Sequence, residues 1–181
     1  MSCARSLKSF AVAVAIAIQA CGAPDLTRAV RSGDGQAVLR ALEAGADIQE
    51  ADAHGITPLM AAVRANRPGI AELLVDRGAR VRVADRRGFT PLHYAAQNGM
   101  NATVGLLLDR GAPINALAGT GRYTPLQLAV IASRADTAVL LVERGADLVR
   151  RNAQGVNALD IAASRHEYEL AVALEEAAKR R

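Results

Sequence analysis

Thr90-Pro91-Leu92-His93-Tyr94-Ala95-Ala96 decides the fold, because the chain comes close to repeating it twice. Upstream stands Thr57-Pro58-Leu59-Met60-Ala61-Ala62, and downstream stands Thr124-Pro125-Leu126-Gln127-Leu128-Ala129. The three threonines are separated by 33 and then 34 residues. A second signature runs in phase with the first: Gly45-Ala46-Asp47, Gly78-Ala79, Gly111-Ala112 and Gly145-Ala146-Asp147. Self-similarity at about 33 residues implies a stack of like units rather than one globular core. The units fall at 25–51 (partial), 52–84, 85–117, 118–151 and 152–181. The last keeps Gly155, Leu159 and Ala162-Ala163 but has Asn157-Ala158 where Thr-Pro is expected, and reads as a terminal cap.

The local chemistry of a unit follows from its residues. Asp or Asn with Gly three positions on (Asp52/Gly55, Asp85/Gly88, Asn152/Gly155) supplies a tight turn. The threonine then stands where a helix N-cap hydroxyl is useful, and proline follows at the first helical position, where its missing N–H costs nothing. The alanine pair lets neighbouring first helices approach closely. Leu73-Leu74-Val75, Leu106-Leu107-Leu108 and Leu140-Leu141-Val142 provide the apolar seam of a second helix. That helix ends at Gly78, Gly111 or Gly145 in a left-handed C-cap. Asn66 replaces the helix-turn glycine supplied elsewhere by Gly33 and Gly99, and asparagine tolerates the left-handed conformation.

These motifs resemble the ankyrin-repeat family over residues 25–181. The resemblance implies an all-α solenoid of about five β-turn/helix-turn-helix units that binds other proteins. It also implies that His93 ties adjacent turns together by hydrogen bonds. In such arrays the fingertips and the inner faces of the first helices form a concave binding surface.

Residues 1–20 read differently. Arg5 and Lys8 precede the apolar run from Phe10 to Ile18, which is too short to span a bilayer and is expected to be a secretory signal peptide. Ile18-Gln19-Ala20-Cys21 resembles a bacterial lipobox, with Cys21 as the lipidated residue and 21–24 as a short tether. Simple cleavage nearby is the alternative. Both cysteines, Cys3 and Cys21, fall in this leader, so the array carries no thiol that could mispair in an oxidising compartment. A lipid on Cys21 would hold the first repeat within about 14 Å of the membrane. By resemblance to lipoprotein sorting in Gram-negative cells, Gly22 directs such a protein to the outer membrane, facing the periplasm.

Charge narrows the function. The formal net charge of +4 becomes +2 once Arg5 and Lys8 leave with the leader, which holds no acid. The basic residues are scattered arginines beside acids, without the dense basic run or aromatic platform of a nucleic-acid binder. Catalysis has no constellation either. His54 lacks a partner at metal-ligand spacing, and His166-Glu167 has Leu170 where a zinc-protease helix needs its second histidine. No phosphate loop or serine elbow occurs, so neither enzyme activity, a cofactor, a metal nor a small-molecule substrate is expected.

A partner protein is expected on the concave side. Ile56, Phe89, Tyr123 and Val156 share one finger position, and arginines surround it. The candidate protein-binding residues are Arg64, Arg86, Arg87, Phe89, Arg122, Tyr123 and Arg151, since aromatic and arginine side chains supply most interface hot spots. They imply an acidic partner surface. The alternative is that the rings pack along neighbouring fingers and the arginines are solvated. The one-residue insertion within Ala116–Arg122 points weakly to the same face and suggests a longer, more flexible finger. The expected function is an exported, envelope-anchored binding module. An immunity or inhibitor protein against an envelope-acting toxin or hydrolase, and a host-directed effector, are the other readings.

Overall fold

The computed structural model describes residues 25–180. The signal peptide and Cys21 expected from the sequence lie outside the described residues. Those residues form ten helices and no strand: α1 (Leu26–Ser32), α2 (Gly35–Glu43), α3 (Pro58–Arg64), α4 (Pro68–Asp76), α5 (Pro91–Asn98), α6 (Asn101–Asp109), α7 (Pro125–Ile131), α8 (Ala135–Glu143), α9 (Ala158–Ser164) and α10 (Tyr168–Lys179). Odd-numbered helices stack on one another, even-numbered helices do the same, and each pair is joined by a short turn. The result is an all-α repeat solenoid. None of these helices is long and apolar enough to cross a membrane.

Left-handed residues stop the helices at two places in the repeat. After each first helix one residue turns left-handed: Gly33, Asn66, Gly99, Ser133 and His166, with φ between 53° and 84°. From Asn66 onward the next residue sends its N–H back five positions in a Schellman closure, Arg67 to Ala62, Met100 to Ala95, Arg134 to Ala129 and Glu167 to Ala162. The glycine-alanine signature does the same for the second helix. Gly45, Gly78, Gly111 and Gly145 take φ of 80–104°. Ala46, Ala79, Ala112 and Ala146 then donate to the carbonyls of Ala41, Leu74, Leu107 and Leu141. The alanines are small because they are tucked against the core, Ala146 at 2 % exposure.

Helix starts follow the threonine reading. Thr57 Oγ1 accepts the N–H of Met60 at 3.3 Å, and Thr124 Oγ1 that of Gln127 at 3.2 Å. In the last unit Asn157 takes over the cap, accepting from Asp160 N–H at 3.0 Å while its own N–H reaches Asp160 Oδ2 at 2.9 Å. Replacement of Thr-Pro therefore leaves a complete capping box.

The core is one continuous seam in which each repeat covers its neighbour. Leu59, Leu74, Leu92, Leu107, Leu126, Leu141 and Leu174 are all below 2 % exposed. Two arginines join consecutive repeats along the second helices. Arg110 pairs with Asp76 of the preceding unit at 2.8 Å, and Arg144 with Asp109 at 2.9 Å. Being exposed, each such pair contributes no more than about 1 kcal/mol.

Candidate protein-binding surface

The fingers are closed by an acid or amide at their base. Asp85 Oδ1 accepts the N–H groups of Arg87 at 2.8 Å and Phe89 at 2.9 Å. Asp52 and Asn152 do the same for their own fingers. The fourth finger has no acid at that place. Its extra residue lets backbone replace side chain: Ala118 and Tyr123 exchange both N–H···O bonds at 2.9 Å, with Arg122 turned left-handed at φ 52°. The inserted finger is thus a bonded hairpin, where the sequence suggested a flexible loop. Consecutive fingers are also stitched together. Arg86 N–H donates to His54 O at 3.0 Å, Gly119 to Arg87 O at 2.7 Å and Ala153 to Gly121 O at 2.8 Å.

Beneath the fingers lies a row of buried hydrogen-bonding side chains. Thr90 N–H donates to His93 Nδ1 at 3.1 Å, so Nδ1 carries the lone pair and Nε2 the proton. Nε2–H then points at the carbonyls of Ala116 (3.1 Å) and Tyr123 (3.2 Å) in the next finger. Burial pushes the His93 pKa down to about 4, against smaller opposing effects of these carbonyls and Asp85. This sealed, neutral imidazole joins two repeats and has no nitrogen left for catalysis. Gln127, its counterpart one repeat later, copies it with an amide. Oε1 accepts from Thr124 N–H at 3.0 Å, and Nε2 donates to Arg150 O at 2.7 Å and Val156 O at 3.3 Å.

Arg64, Arg86, Arg87 and Phe89 come together. The Arg87 guanidinium lies 4.9 Å from the centre of the half-buried Phe89 ring, and that ring stacks on Tyr94 at 5.4 Å. Tyr94 donates its hydroxyl to Asp85 Oδ2 at 2.6 Å and accepts from Arg87 Nη2 at 3.0 Å. Burial, then the Asp85 bond, raises the Tyr94 pKa above the usual tyrosine range. Arg64 lies over the other part of this cluster, 5.4 Å from the Tyr94 ring centre.

Two recesses flank this core. A cavity of about 580 Å³ is bounded by Arg64, Arg87, Phe89, Tyr94, Gln97 and Arg134, among others. A second, of about 280 Å³, is formed by His54, Ile56, Asp85, Arg86 and again Arg64 and Arg87. Arg122, Tyr123 and Arg151 line neither. Tyr123 is half-buried with its ring against Gly121, and Arg151 is engaged with the Gly155 carbonyl and, at 3.5 Å, with Asp160.

Tyr94 and Arg134 line the larger recess of the candidate surface and were not among the residues that sequence reasoning named. Tyr94 sat inside the repeat motif, where it read as part of the packing pattern. The available signal was its replacement of Ala61 and Leu128 at the equivalent place. Arg134 shares its position with Arg67, and each lies across the helix-turn glycine one repeat earlier, Gly99 and Gly33. No group of three or more potential metal ligands occurs among the described residues.

The helix pairs, Schellman stops and stitched fingers define a stacked-repeat protein. The model for three copies of the ankyrin repeat matches residues 26–118, and the single ankyrin-repeat model matches 122–153. The chain belongs to the ankyrin-repeat family, whose members are typically non-catalytic interaction modules, and neither match is to an enzyme family. No curated protein matches it in sequence.

Proposed function

We propose that the chain is a non-catalytic binding module of the bacterial cell envelope, tethered through Cys21 to the outer membrane and facing the periplasm. It engages a partner protein with an acidic surface through its fingers and first helices. The carrying observation is the gathering of Arg64, Arg86 and Arg87 around Phe89 on that face. Among the described residues Arg64 and Arg86 have no ion-pair partner, whereas Arg110 and Arg144 along the second helices are paired. Arg64, without an ion-pair partner and over the Tyr94 ring, is suited to charged, desolvating contacts. Tyr123, Arg122 and Arg151 on the following fingers extend the surface. The sealed state of His93 supports a role without chemistry.

The test is capture from detergent-solubilised envelopes by the intact chain and by an Arg86→Ala/Phe89→Ala/Tyr123→Ala variant of equal thermal stability. A partner retained by the first and lost by the second supports the reading. A partner held equally by both removes the finger surface from it. Metabolic labelling with palmitate, lost in Cys21→Ala, tests the anchor separately.

A further inference from the structure

We propose that the two recesses on either side of Arg64 and Arg87 form one track that seats an extended acidic peptide segment of the partner, its carboxylates bracketed by Arg64, Arg86, Arg87 and Arg134. This rests on the interaction-module reading and gives it a ligand chemistry. Arg64 and Arg87 line both recesses, Arg86 lines only the smaller and Arg134 only the larger. The guanidinium groups are therefore spread along a path rather than converged on one point. A single phosphate would engage a fraction of them, whereas a chain carrying several separate charges meets them all.

The other groups on the track also favour a peptide. Asp85 is the one carboxylate lining it, and its charge is already taken up by two backbone N–H groups, the Tyr94 hydroxyl and Arg87 at 3.7 Å. It therefore holds Arg87 in place more than it repels an incoming acid. Arg134 is oriented by Nε, which donates to Gln97 O at 3.4 Å. Its terminal nitrogens have no ion-pair partner among the described residues. Gln97 is exposed in the larger recess, and its side-chain amide can serve the backbone of an extended strand. Phe89 and Tyr94 supply a low-dielectric floor, on which charge-assisted hydrogen bonds strengthen. Neither ring offers a free face to a nucleobase, since each is covered by the other and by an arginine. Prior fixing of Arg87 and Arg134 lowers the ordering cost of binding.

The experiment titrates the full chain, in mild detergent, with an oligo-glutamate peptide long enough to cross both recesses. An oligo-glutamine peptide, inorganic phosphate and a single-stranded oligonucleotide are the comparators. Saturable binding of oligo-glutamate alone is expected, weakened about ten-fold by Arg64→Gln and by Arg134→Gln, as for loss of one charged hydrogen-bonding group. Arg77→Gln removes the same charge from a residue that lines neither recess, and is expected to change binding less than two-fold or so. Equal loss in all three variants would show general charge attraction and overturn the proposal. So would tighter binding of the oligonucleotide, or binding of phosphate at the same site with similar strength. Capture of an envelope partner that is indifferent to Arg64→Gln and Arg134→Gln would overturn the track while leaving the interaction-module reading intact.

Discussion

His93 and Tyr123 stand 30 residues apart in sequence, yet the imidazole Nε2–H of the first reaches the carbonyl oxygen of the second at 3.2 Å. The bond spans the boundary between the third and fourth repeats, where the fingers otherwise meet through the Gly119–Arg87 backbone contact. In a solenoid, stability is close to a sum of unit and nearest-neighbour contributions. A fully buried side chain that belongs to one unit and satisfies another therefore acts on the coupling itself.

The coupling depends on pH with a definite sign. The folded-state pKa of His93 is depressed from 6.5 to about 4, so the unfolded chain binds the extra proton first. Its stabilisation is fully present above pH 6.5, declines as pH falls, and is lost below about pH 4, about 3 kcal/mol in all. His93→Gln should keep both hydrogen bonds, as Gln127 does one repeat later, and remove this slope. Urea midpoints of the two chains, measured at neutral pH and near the folded pKa of about 4, check it. Parallel pH dependences of the two chains would refute the assignment. His93→Leu should cost about 2–4 kcal/mol at neutral pH, because it strands Thr90 N–H and two carbonyls.

Tyr94→Phe removes one oxygen and two hydrogen bonds, those to Asp85 and from Arg87. The ring and its stack on Phe89 remain. The expected loss is about 1–2 kcal/mol, with faster amide exchange at Arg87 and Phe89, whose N–H groups rest on Asp85. The same variant should lose the phenol ionisation that occurs above the ordinary tyrosine range in an alkaline absorbance titration.

Asn66 sits at φ 53°, the place that Gly33 and Gly99 occupy at 84° and 76°. Asn66→Gly relieves left-handed strain on an exposed residue and should raise stability slightly or leave it unchanged, within about 0.5 kcal/mol. Asn66→Val should lose about 1–2 kcal/mol, since a β-branched side chain is poorly tolerated there. Thermal melting of the pair checks the order. Equal melting temperatures would mean that the turn can rearrange.

The repeat period, the threonine caps, the glycine stops and the role of Asn66 were legible because each depends on residues a few positions apart. Ser133 and His166 occupy that same left-handed position but escaped notice, since neither residue type signals it. The fourth finger was misread for a related reason. Loss of the basal acid and gain of one residue look like loosening in sequence, while in space the Ala118 carbonyl stands in for the missing carboxylate. Four of the named binding residues did converge on one place. Tyr94 and Arg134 complete that place, one from within the packing motif and one from the next repeat, and adjacency of residues 40 positions apart has no local trace.

Leu107 and Leu174 are both completely buried, yet they should respond differently to truncation. Each alanine substitution removes comparable apolar surface and leaves a cavity, at a cost of about 2–5 kcal/mol. Leu107 lies in α6, which packs on α4 and α8, so its loss weakens two interfaces in mid-array. Leu174 lies in α10, whose main contacts run to α8 and α9, with Tyr168 and Val172 open to solvent at 60 % and 56 % exposure. Leu174→Ala should therefore release the last repeat as a unit before the rest unfolds, whereas Leu107→Ala should lower the stability of the whole stack. Hydrogen exchange separates the two outcomes. Selective loss of protection in α9 and α10 is expected for Leu174→Ala, with α5 and α7 unchanged. Uniform loss in that variant would mean that the terminal unit is bound too tightly to open alone, and that the array unfolds as one cooperative body.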